Sequence, residues 1–534
     1  MPGITLGDLS LKSYDLTPRA SHLKDIYFRA IPEICIERPR LITRFCLQNG
    51  LFAQKRISVL DKARIYKYVL ENRAPVVRHT RGYEKGMTPF TFKEAPLFAG
   101  STTSKLKGVP LYPEFLALTL WPELWTISTR ASNPYHITDS EVEEVNYNIF
   151  PHWIEHSIAE IARKRCFEEN WTKYGARKQA PEIKLLERLV FFLASKPECI
   201  SHTIPDFSRA INLGLSEIIK EAKKRESETS DTSQKEFYAA IPLVLEGIIA
   251  YSRNLAAKAE EIAKKENNPI LKKELLYIAD FNRRIPEFPA RTFREGLTTI
   301  WICWTAIHLE NPNVGLSLGR LDQVLYDLYR QDIHSGAITI GDAIELICCL
   351  WLKIGDHVPA MPDAGEQLFG GTGSNQAITI GGVDKDGRDA VNDLTYVMLR
   401  ATELIKLRDP NLNARYYSGV NSKDYLKRLC EANINTGATP ALHNDKAIIR
   451  SLTSKGETIQ QARDYGVIGC VEPDSNGRAY GSSASILMNL TSVLELTLFN
   501  GRHRHTGMDL LISKETGDPI TFHTFEQFKS AFLQ

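Results

Sequence analysis

The sequence predicts an α/β fold with a largely enclosed sheet or barrel. From about residue 376 onward, short β-type runs such as 377–382 and 412–417 alternate with helical runs such as 393–406. Alternation of strands with helices is typical of α/β architectures. At 534 residues the chain is also long enough to bury a large core, either as one barrel with added helices or as several domains.

Two helices stand out before this region. Around residues 245–262, apolar and small side chains recur at intervals of three and four, while the other face is charged. This pattern predicts a long helix at the surface. A second segment, from about Phe293 to Glu310, is apolar nearly all round. We therefore expect it to form a helix inside the molecule.

Charge and composition narrow the class of partner. Lys and Arg number 66 against 64 Asp and Glu, which leaves a formal charge of +2. This balance lacks the footprint of a nucleic-acid or membrane-surface protein, so a small-molecule partner is favoured. The first residues do not read as a signal peptide and no later run resembles a membrane span, so we expect a cytoplasmic protein.

The segment Gly469–Pro473 carries the most chemistry, because it places Cys470 and Glu472 two residues apart between a Gly and a Pro. In extended or turned backbone, residues i and i+2 project to the same side. A thiol and a carboxylate facing one substrate suit hydrogen-atom and proton chemistry. The alternative interpretation is a loop cysteine that is simply buried.

A second candidate lies at 202–206, a loop-like segment before a predicted helix. It contains His202, a candidate pocket residue, and Asp206. A carboxylate in this position commonly caps a helix N-terminus, so Asp206 is either a site residue or an N-cap.

The zinc-hydrolase alternative rests on residues 152–156, which match the pattern HxxEH. On a helix, His152 and His156 would lie one turn apart and bind Zn²⁺, with Glu155 as the base. No third ligand can be identified downstream. The nine cysteines show no CxxC spacing, so neither a structural zinc site nor a disulfide framework is indicated.

Taken with its surroundings, Gly469–Pro473 resembles the cysteine loop of the glycyl radical enzymes, the superfamily of pyruvate formate-lyase. Further segments resemble landmarks of that family in the same order, and together they span essentially the whole chain. They are 103–105, 111–114, 202–206, 317–323, 380–384, 409–415 and 516–519.

The resemblance implies a ten-stranded β/α barrel of two half-sheets surrounded by helices. It implies that Cys470 carries a thiyl radical and that Glu472 is the general base. His202, Asp206 and Arg130 are the candidate substrate-binding residues, with Arg130 or His202 holding an anionic group. No bound cofactor or metal is expected. The radical would be stored on a C-terminal glycine, installed by an S-adenosylmethionine-dependent activase, and the enzyme would form a homodimer.

The loop also indicates a branch of the family. Pyruvate formate-lyase uses two adjacent cysteines here, whereas this chain has Val471 after Cys470. The arrangement resembles the eliminases and decarboxylases, which implies a dehydratase, a decarboxylase or a C–N or C–S lyase. Glycerol dehydratases have a His-Ser pair where this chain reads 313–317 without one. Unmatched hydroxyl groups in a pocket are costly, so the pattern argues against a polyol substrate.

One departure from the family concerns the C-terminal part. The glycyl radical motif of the Arg-Val-x-Gly-Tyr type does not occur in this sequence, and 524–527 has the form of a capping box opening a helix near the end. We therefore expect 1–534 to be one barrel domain, incomplete at its C-terminus, without the glycyl radical domain. It would be a fragment, one half of a split enzyme, or an inactive scaffold.

Overall fold

The computed structural model describes residues 10–54, 56–77, 97–158, 161, 202–363, 373–478, 480–481, 489–503, 510–511 and 513–534. The chain divides into two compact units. The larger unit comprises Met1–Ser157 and Ser201–Gly481, and the smaller comprises Ile158–Ile200 and Ser482–Gln534. All five candidate site residues predicted from the sequence therefore belong to the larger unit.

The larger unit is rich in helices. Within its described residues they are α1 (Pro18–Arg29), α2 (Glu37–Gln48), α3 (Val59–Asn72), α4 (Pro113–Leu120), α5 (Asp139–Glu144), α6 (Phe150–Trp153), α7 (Phe207–Leu213), α8 (Leu215–Glu228), α9 (Thr232–Lys265), α10 (Pro269–Arg284), α11 (Phe293–Glu310), α12 (Leu321–Val324), α13 (Tyr326–Ser335), α14 (Ile340–Gly355), α15 (Asp393–Ile405), α16 (Lys423–Thr436), α17 (Asp445–Ser454) and α18 (Ile459–Arg463). Across the described residues, no helix has both the length and the apolar character needed to cross a membrane.

The strands confirm the predicted α/β class. They are β1 (Glu33–Cys35), β2 (Gly108–Pro110), β3 (His202–Thr203), β4 (Ala377–Gly381), β5 (Asn411–Tyr416), β6 (Ala441–Asn444), β7 (Tyr465–Ile468), β8 (Glu472–Ser475) and β9 (Tyr480–Gly481). Strands β4, β5 and β6 form a parallel sheet in that order, with α15 and α16 as the crossovers. The two predicted strands and the helix between them lie within one residue of their expected bounds.

Single backbone pairings connect some of these short sheets. The N–H of Ser317 donates to the carbonyl of Thr203 (3.0 Å) and that of Leu318 donates to Ala377 (2.7 Å), so this segment joins β3 to β4. In the same way Glu33 pairs with His136 and Gly108 pairs with His357, on either side of β1 and β2. The described residues give these two series of neighbours, and they do not show a closed ten-stranded barrel.

The core is built around α11, which has the bounds and the burial that its sequence predicted. Its Ile300, Trp301 and Trp304 side chains are at most 2% exposed. The adjacent cysteines Cys348 and Cys349 on α14 are also buried in this core. A helix that is apolar all round can bury all its faces, so α11 passes through the centre of the larger unit.

A buried ion pair connects three elements near the carboxyl end of β5, the central strand of the parallel sheet. The guanidinium of Arg415, on β5, donates from Nε and Nη2 to the two carboxylate oxygens of Asp445 (2.7 and 2.9 Å), and neither side chain is exposed. Arg415 also donates to the carbonyls of Tyr465 (3.0 Å) and Arg463 (2.8 Å). The Tyr465 hydroxyl donates to Asp445 (2.6 Å). The start of β7 is therefore held against β5 and α17.

The described residues of the smaller unit include two α-helices, one strand pair and a 3₁₀-helix at Pro519–Thr521. The α-helices and strands are α19 (Leu490–Leu498), α20 (Phe525–Phe532), β10 (Arg502–His503) and β11 (Leu510–Leu511), the strands pairing antiparallel. The capping box predicted at 524–527 is confirmed. The Thr524 hydroxyl accepts from the N–H of Gln527 (3.3 Å), and the Gln527 side chain accepts from the N–H of Thr524 (3.1 Å).

Asp445→Asn should lower the free energy of unfolding by about 3–5 kcal/mol, because it leaves the buried Arg415 without its counter-charge. Denaturant unfolding followed by tryptophan fluorescence measures this loss. The matched control is Asp424→Asn, whose partner Lys427 is 77% exposed and which should change the same quantity by at most about 1 kcal/mol. Equal losses of unfolding free energy in the two variants would contradict a larger contribution from the buried pair.

Candidate active site

Cys470 lies at the tip of a β-hairpin. Strands β7 and β8 pair antiparallel with Ile468 opposite Glu472, which leaves a connection of three residues, Gly469, Cys470 and Val471. Gly469 has φ +54°, in the left-handed region that glycine adopts without a Cβ clash. Cys470 is exposed and Val471 is 56% exposed. The alternative of a simply buried cysteine is therefore wrong.

Two elements hold the backbone of this tip. The N–H of Gly469 donates to the carbonyl of Gly315 (2.9 Å). The side-chain amide of Asn411, at the start of β5, donates to the carbonyls of Gly469 (3.2 Å) and Cys470 (2.9 Å). The tip is thus hydrogen-bonded both to the loop that contains Gly315 and to the first residue of β5.

Glu472 folds back over the tip of the hairpin. Its Oε2 accepts from the N–H of Val471 (3.1 Å), and its Oε1 lies 3.8 Å from Nδ1 of His202. The Glu472 side chain is 36% exposed. Its carboxylate therefore lies close to the backbone of the cysteine loop while keeping access to a molecule arriving from outside.

His202 is the second predicted residue that the structure brings to the hairpin. It lies on β3, is 6% exposed, and its ring packs against two glycines. A Cβ placed on Gly315 would lie 2.4 Å from His202 Nε2, and one on Gly469 would lie 3.1 Å from Cε1. Only a residue without a side chain allows the imidazole this close to the loop. No pattern in the sequence indicates that Gly315 has this function.

The other two substrate-binding candidates already have structural contacts. Asp206 accepts from the N–H of Arg209 (3.2 Å) as the N-cap of α7, and it is exposed. Arg130 donates to the carbonyls of Asn133 (2.9 Å) and Met361 (2.8 Å). These bonds give both residues a structural role. A contact of either residue with substrate stays a prediction.

The HxxEH segment does not form the expected single helix. Helix α6 ends at Trp153, and Glu155 and His156 follow in a turn. The rings of His152 and His156 instead pack on Phe52, with centroids 5.6 and 5.1 Å away. Among the described residues, no group of three or more His, Cys, Asp or Glu side chains is arranged to hold a metal ion.

A buried carboxylate, Asp409, supports the segment that bonds Gly315, and in the sequence it stands out only as part of a family landmark. Asp409 is 4% exposed and accepts from the N–H groups of Ser374 (2.6 Å) and Gln376 (3.1 Å). The carbonyl of Ser374 in turn accepts from the N–H of Gly315 (2.8 Å). Desolvation raises the pKa of Asp409 to about 6, against the opposing effect of these N–H groups and of Arg408.

Gly315→Ala should disturb the site beyond ordinary backbone strain, because the added Cβ would collide with the His202 ring. Gly315 has φ +87°, and the control Gly336→Ala shares this strain at φ +72° but meets nothing within 4 Å. We expect the control to lose about 1 kcal/mol of unfolding free energy and Gly315→Ala to lose at least twice that. Equal losses would mean that the His202 ring moves aside without cost.

Asp409 should make stability depend on pH. The folded chain binds its proton more tightly than the unfolded chain, whose Asp pKa is about 3.9. The contribution of Asp409 to the unfolding free energy is therefore full below about pH 4 and is lost as the pH rises to about 6. The difference between wild type and Asp409→Asn should shrink by about 3 kcal/mol across this window. A constant difference from pH 4 to 7 in denaturant unfolding would contradict this.

Comparison with known proteins identifies the family. A model of the family described as pyruvate formate lyase-like matches residues 15–534. The isethionate sulfite-lyase of Desulfovibrio desulfuricans is 30% identical over 458 residues, which are 84% of this chain and 54% of that protein. The chain thus spans about half the length of this relative.

Two solved structures are similar throughout the chain. The glycerol-bound B12-independent glycerol dehydratase of Clostridium butyricum has a TM-score of 0.84 at 27% identity, covering 98% of this chain and 62% of that one. A glycyl radical enzyme from Archaeoglobus fulgidus has a TM-score of 0.82 at 28% identity, covering 96% and 62%. Since the family model covers nearly all of the sequence, the chain belongs to the pyruvate formate lyase-like family.

Proposed function

We propose that this chain is the catalytic body of a glycyl radical lyase in which Cys470 exchanges hydrogen atoms with a small organic substrate and Glu472 is the general base. The observation that carries the proposal is the hairpin tip, where Cys470 is exposed and Glu472, two residues later, has a side chain that is 36% exposed. Both groups must be accessible to react with a bound molecule. The names of relatives, a sulfite-lyase and a dehydratase, support this class of reaction.

The proposed steps use the two side chains in turn. The stored radical of this family supplies an acceptor for the hydrogen atom of the Cys470 thiol. The sulfur then takes a hydrogen atom from a substrate carbon, so a C–H bond breaks and an S–H bond forms. Glu472 takes the proton of a hydroxyl on that carbon, and the neighbouring leaving group departs with its electron pair. Cys470 finally returns its hydrogen atom to the product radical.

His202 is the candidate that best fits contact with the substrate. Its Nδ1 lies 3.8 Å from Glu472, so a polar group bound beside the base would meet the imidazole as well. In the loop at 313–317, the Asn313 amide donates to the carbonyl of Ile307, and the Ser317 hydroxyl accepts from the N–H of Gly319. These groups are used within the protein, which supports a substrate with fewer hydroxyl groups than a polyol.

We further propose that the two series of paired segments are the half-sheets of a ten-stranded barrel. One series runs through β9, β3, the segment at Ser317, β4, β5 and β6, and the other through His136, β1, β2 and His357. An enclosed barrel would keep water from a radical. A radical S-adenosylmethionine activase as partner and a homodimeric assembly complete the proposal, on the grounds of family resemblance.

In a full-length form that carries a glycyl radical domain and has been treated with a radical activase, Cys470→Ser should reduce turnover to background, because serine offers no comparably weak bond to hydrogen. The glycyl signal in electron paramagnetic resonance should persist. Glu472→Gln should keep the signal and lower kcat by about 10²–10⁴-fold, the usual contribution of a general base. Cys430→Ser, which changes the exposed cysteine of α16, is the matched control and should keep full activity.

Three outcomes would count against the proposal. Turnover retained by Cys470→Ser would refute the role of the thiol. Stoichiometric zinc that is lost on replacing His152 and His156 would favour the hydrolase. Absence of both the radical signal and turnover in the activated full-length wild type would favour an inactive scaffold.

A further inference from the structure

Asn411 is the side chain that holds the carbonyl of the reactive cysteine. Its Nδ2 donates to two consecutive carbonyls, Gly469 (3.2 Å) and Cys470 (2.9 Å). Its own backbone N–H donates to the carbonyl of Gln376 (2.7 Å), within the pairing of β4 with β5. The amide therefore connects the tip of the hairpin to the parallel sheet.

We propose that Asn411 is a positioning residue for Cys470, whose amide fixes the cysteine carbonyl and thereby sets where the sulfur stands for hydrogen-atom transfer. This inference rests on the proposed function, since it assigns Asn411 a role in the same step. It acts through the backbone of Cys470, and it needs no contact with the substrate.

The geometry of the tip explains why one amide matters. Beyond Gly469, the connection exposes Cys470 and Val471, and the N–H of Val471 is bonded only locally, to the Glu472 carboxylate. Asn411 is thus a hydrogen-bond partner that ties the second half of the tip to the sheet. Atom transfer requires reacting atoms held within about 3–3.5 Å, and a shift of about 1 Å costs about 100-fold in rate.

The support beneath Asn411 is shared with the other anchor of the tip. Asp409, two residues earlier, holds the N–H groups of Ser374 and Gln376, and Ser374 holds Gly315. Gly315 and Asn411 are the two groups that bond Gly469. One buried segment therefore positions both anchors, and a change at Asn411 removes one of them while leaving that segment intact.

An amide suits this position better than a carboxylate of the same shape. The NH₂ group can donate to two carbonyls at once, whereas an ionised Asp would direct a negative oxygen at both. Asn411→Asp therefore tests the donor itself, because it keeps the shape of the side chain and removes the NH₂ group.

The first experiment measures alkylation of Cys470 by iodoacetamide in the intact protein, with site-resolved mass spectrometry and Cys430 as the internal reference. Asn411→Ala should raise the Cys470 to Cys430 rate ratio at least about threefold, because the tip loses its tie to the sheet. Asn411→Asp, which lacks the NH₂ donor, should also raise this ratio at pH 7.5.

The control removes an amide of the same kind elsewhere. Asn254, on α9, donates to the carbonyl of Glu71 (3.0 Å), and Asn254→Ala should leave the ratio unchanged. Circular dichroism establishes that each variant is folded. If Asn411→Ala does not fold, the nearly isosteric Asn411→Asp decides the question. A ratio within experimental error of wild type in a folded Asn411 variant would overturn the inference.

The second experiment separates this inference from the proposed function. In the activated enzyme, Asn411→Ala should lower kcat at least about tenfold with KM changed by less than about twofold and the glycyl radical signal unchanged. A normal kcat would overturn the positioning role while Cys470→Ser still tests the function. If Cys470→Ser stays active, the proposed function fails, and the alkylation ratio alone then reports whether Asn411 anchors the loop.

Discussion

The candidate site depends on the ion pair between Arg415 and Asp445, two charges from which water is excluded. Taking both out of water costs several kcal/mol each, and this cost is offset because the pair is bidentate and its remaining hydrogen-bonding groups are used. Two of these further bonds go to the backbone and hydroxyl of Tyr465, the first residue of the cysteine hairpin. A second buried guanidinium, Arg320, donates to Gly381 and Asp464 beside it. The base of the hairpin therefore has one orientation relative to the sheet.

The two ends of the hairpin are held by forces of different size. At the base, buried ions bind one another, and removing one partner of such a pair costs about 3–5 kcal/mol. At the tip, neutral amide and backbone groups make hydrogen bonds that contribute about 1 kcal/mol each. Cys470 thus lies at the weakly held tip of a hairpin whose base is strongly held. Its position can adjust slightly without loss of the fold.

Local patterns in the sequence predicted the local features well. The periodicity of 293–310 and the capping residues at 524–527 each depend on neighbours within a few positions, and both predictions are confirmed. The occurrence of Cys470 and Glu472 two residues apart is also a local feature of the sequence. Its proposed chemistry came from family resemblance.

Contacts between distant residues were beyond the sequence. His202 reaches the hairpin only because β3 pairs with β9 and because Gly315 and Gly469 leave room for its ring. Neither condition can be recognised from the residues around His202 in the sequence. The helix predicted for the HxxEH motif is wrong, because α6 ends at Trp153, within the motif. The imidazoles of His152 and His156 pack on Phe52 instead.

One face of strand β5 presents the side chains that bond both ends of the cysteine hairpin. Alternate residues point the same way, and of these Asn411 bonds the hairpin tip, Asn413 bonds His443, and Arg415 bonds the hairpin base. Between them, Leu412 and Ala414 are fully buried in the apolar core. A single-residue insertion within β5 would exchange these two faces, whereas an insertion in the connection before it would leave them unchanged. Over evolutionary time, length variation in related chains should accumulate outside this strand.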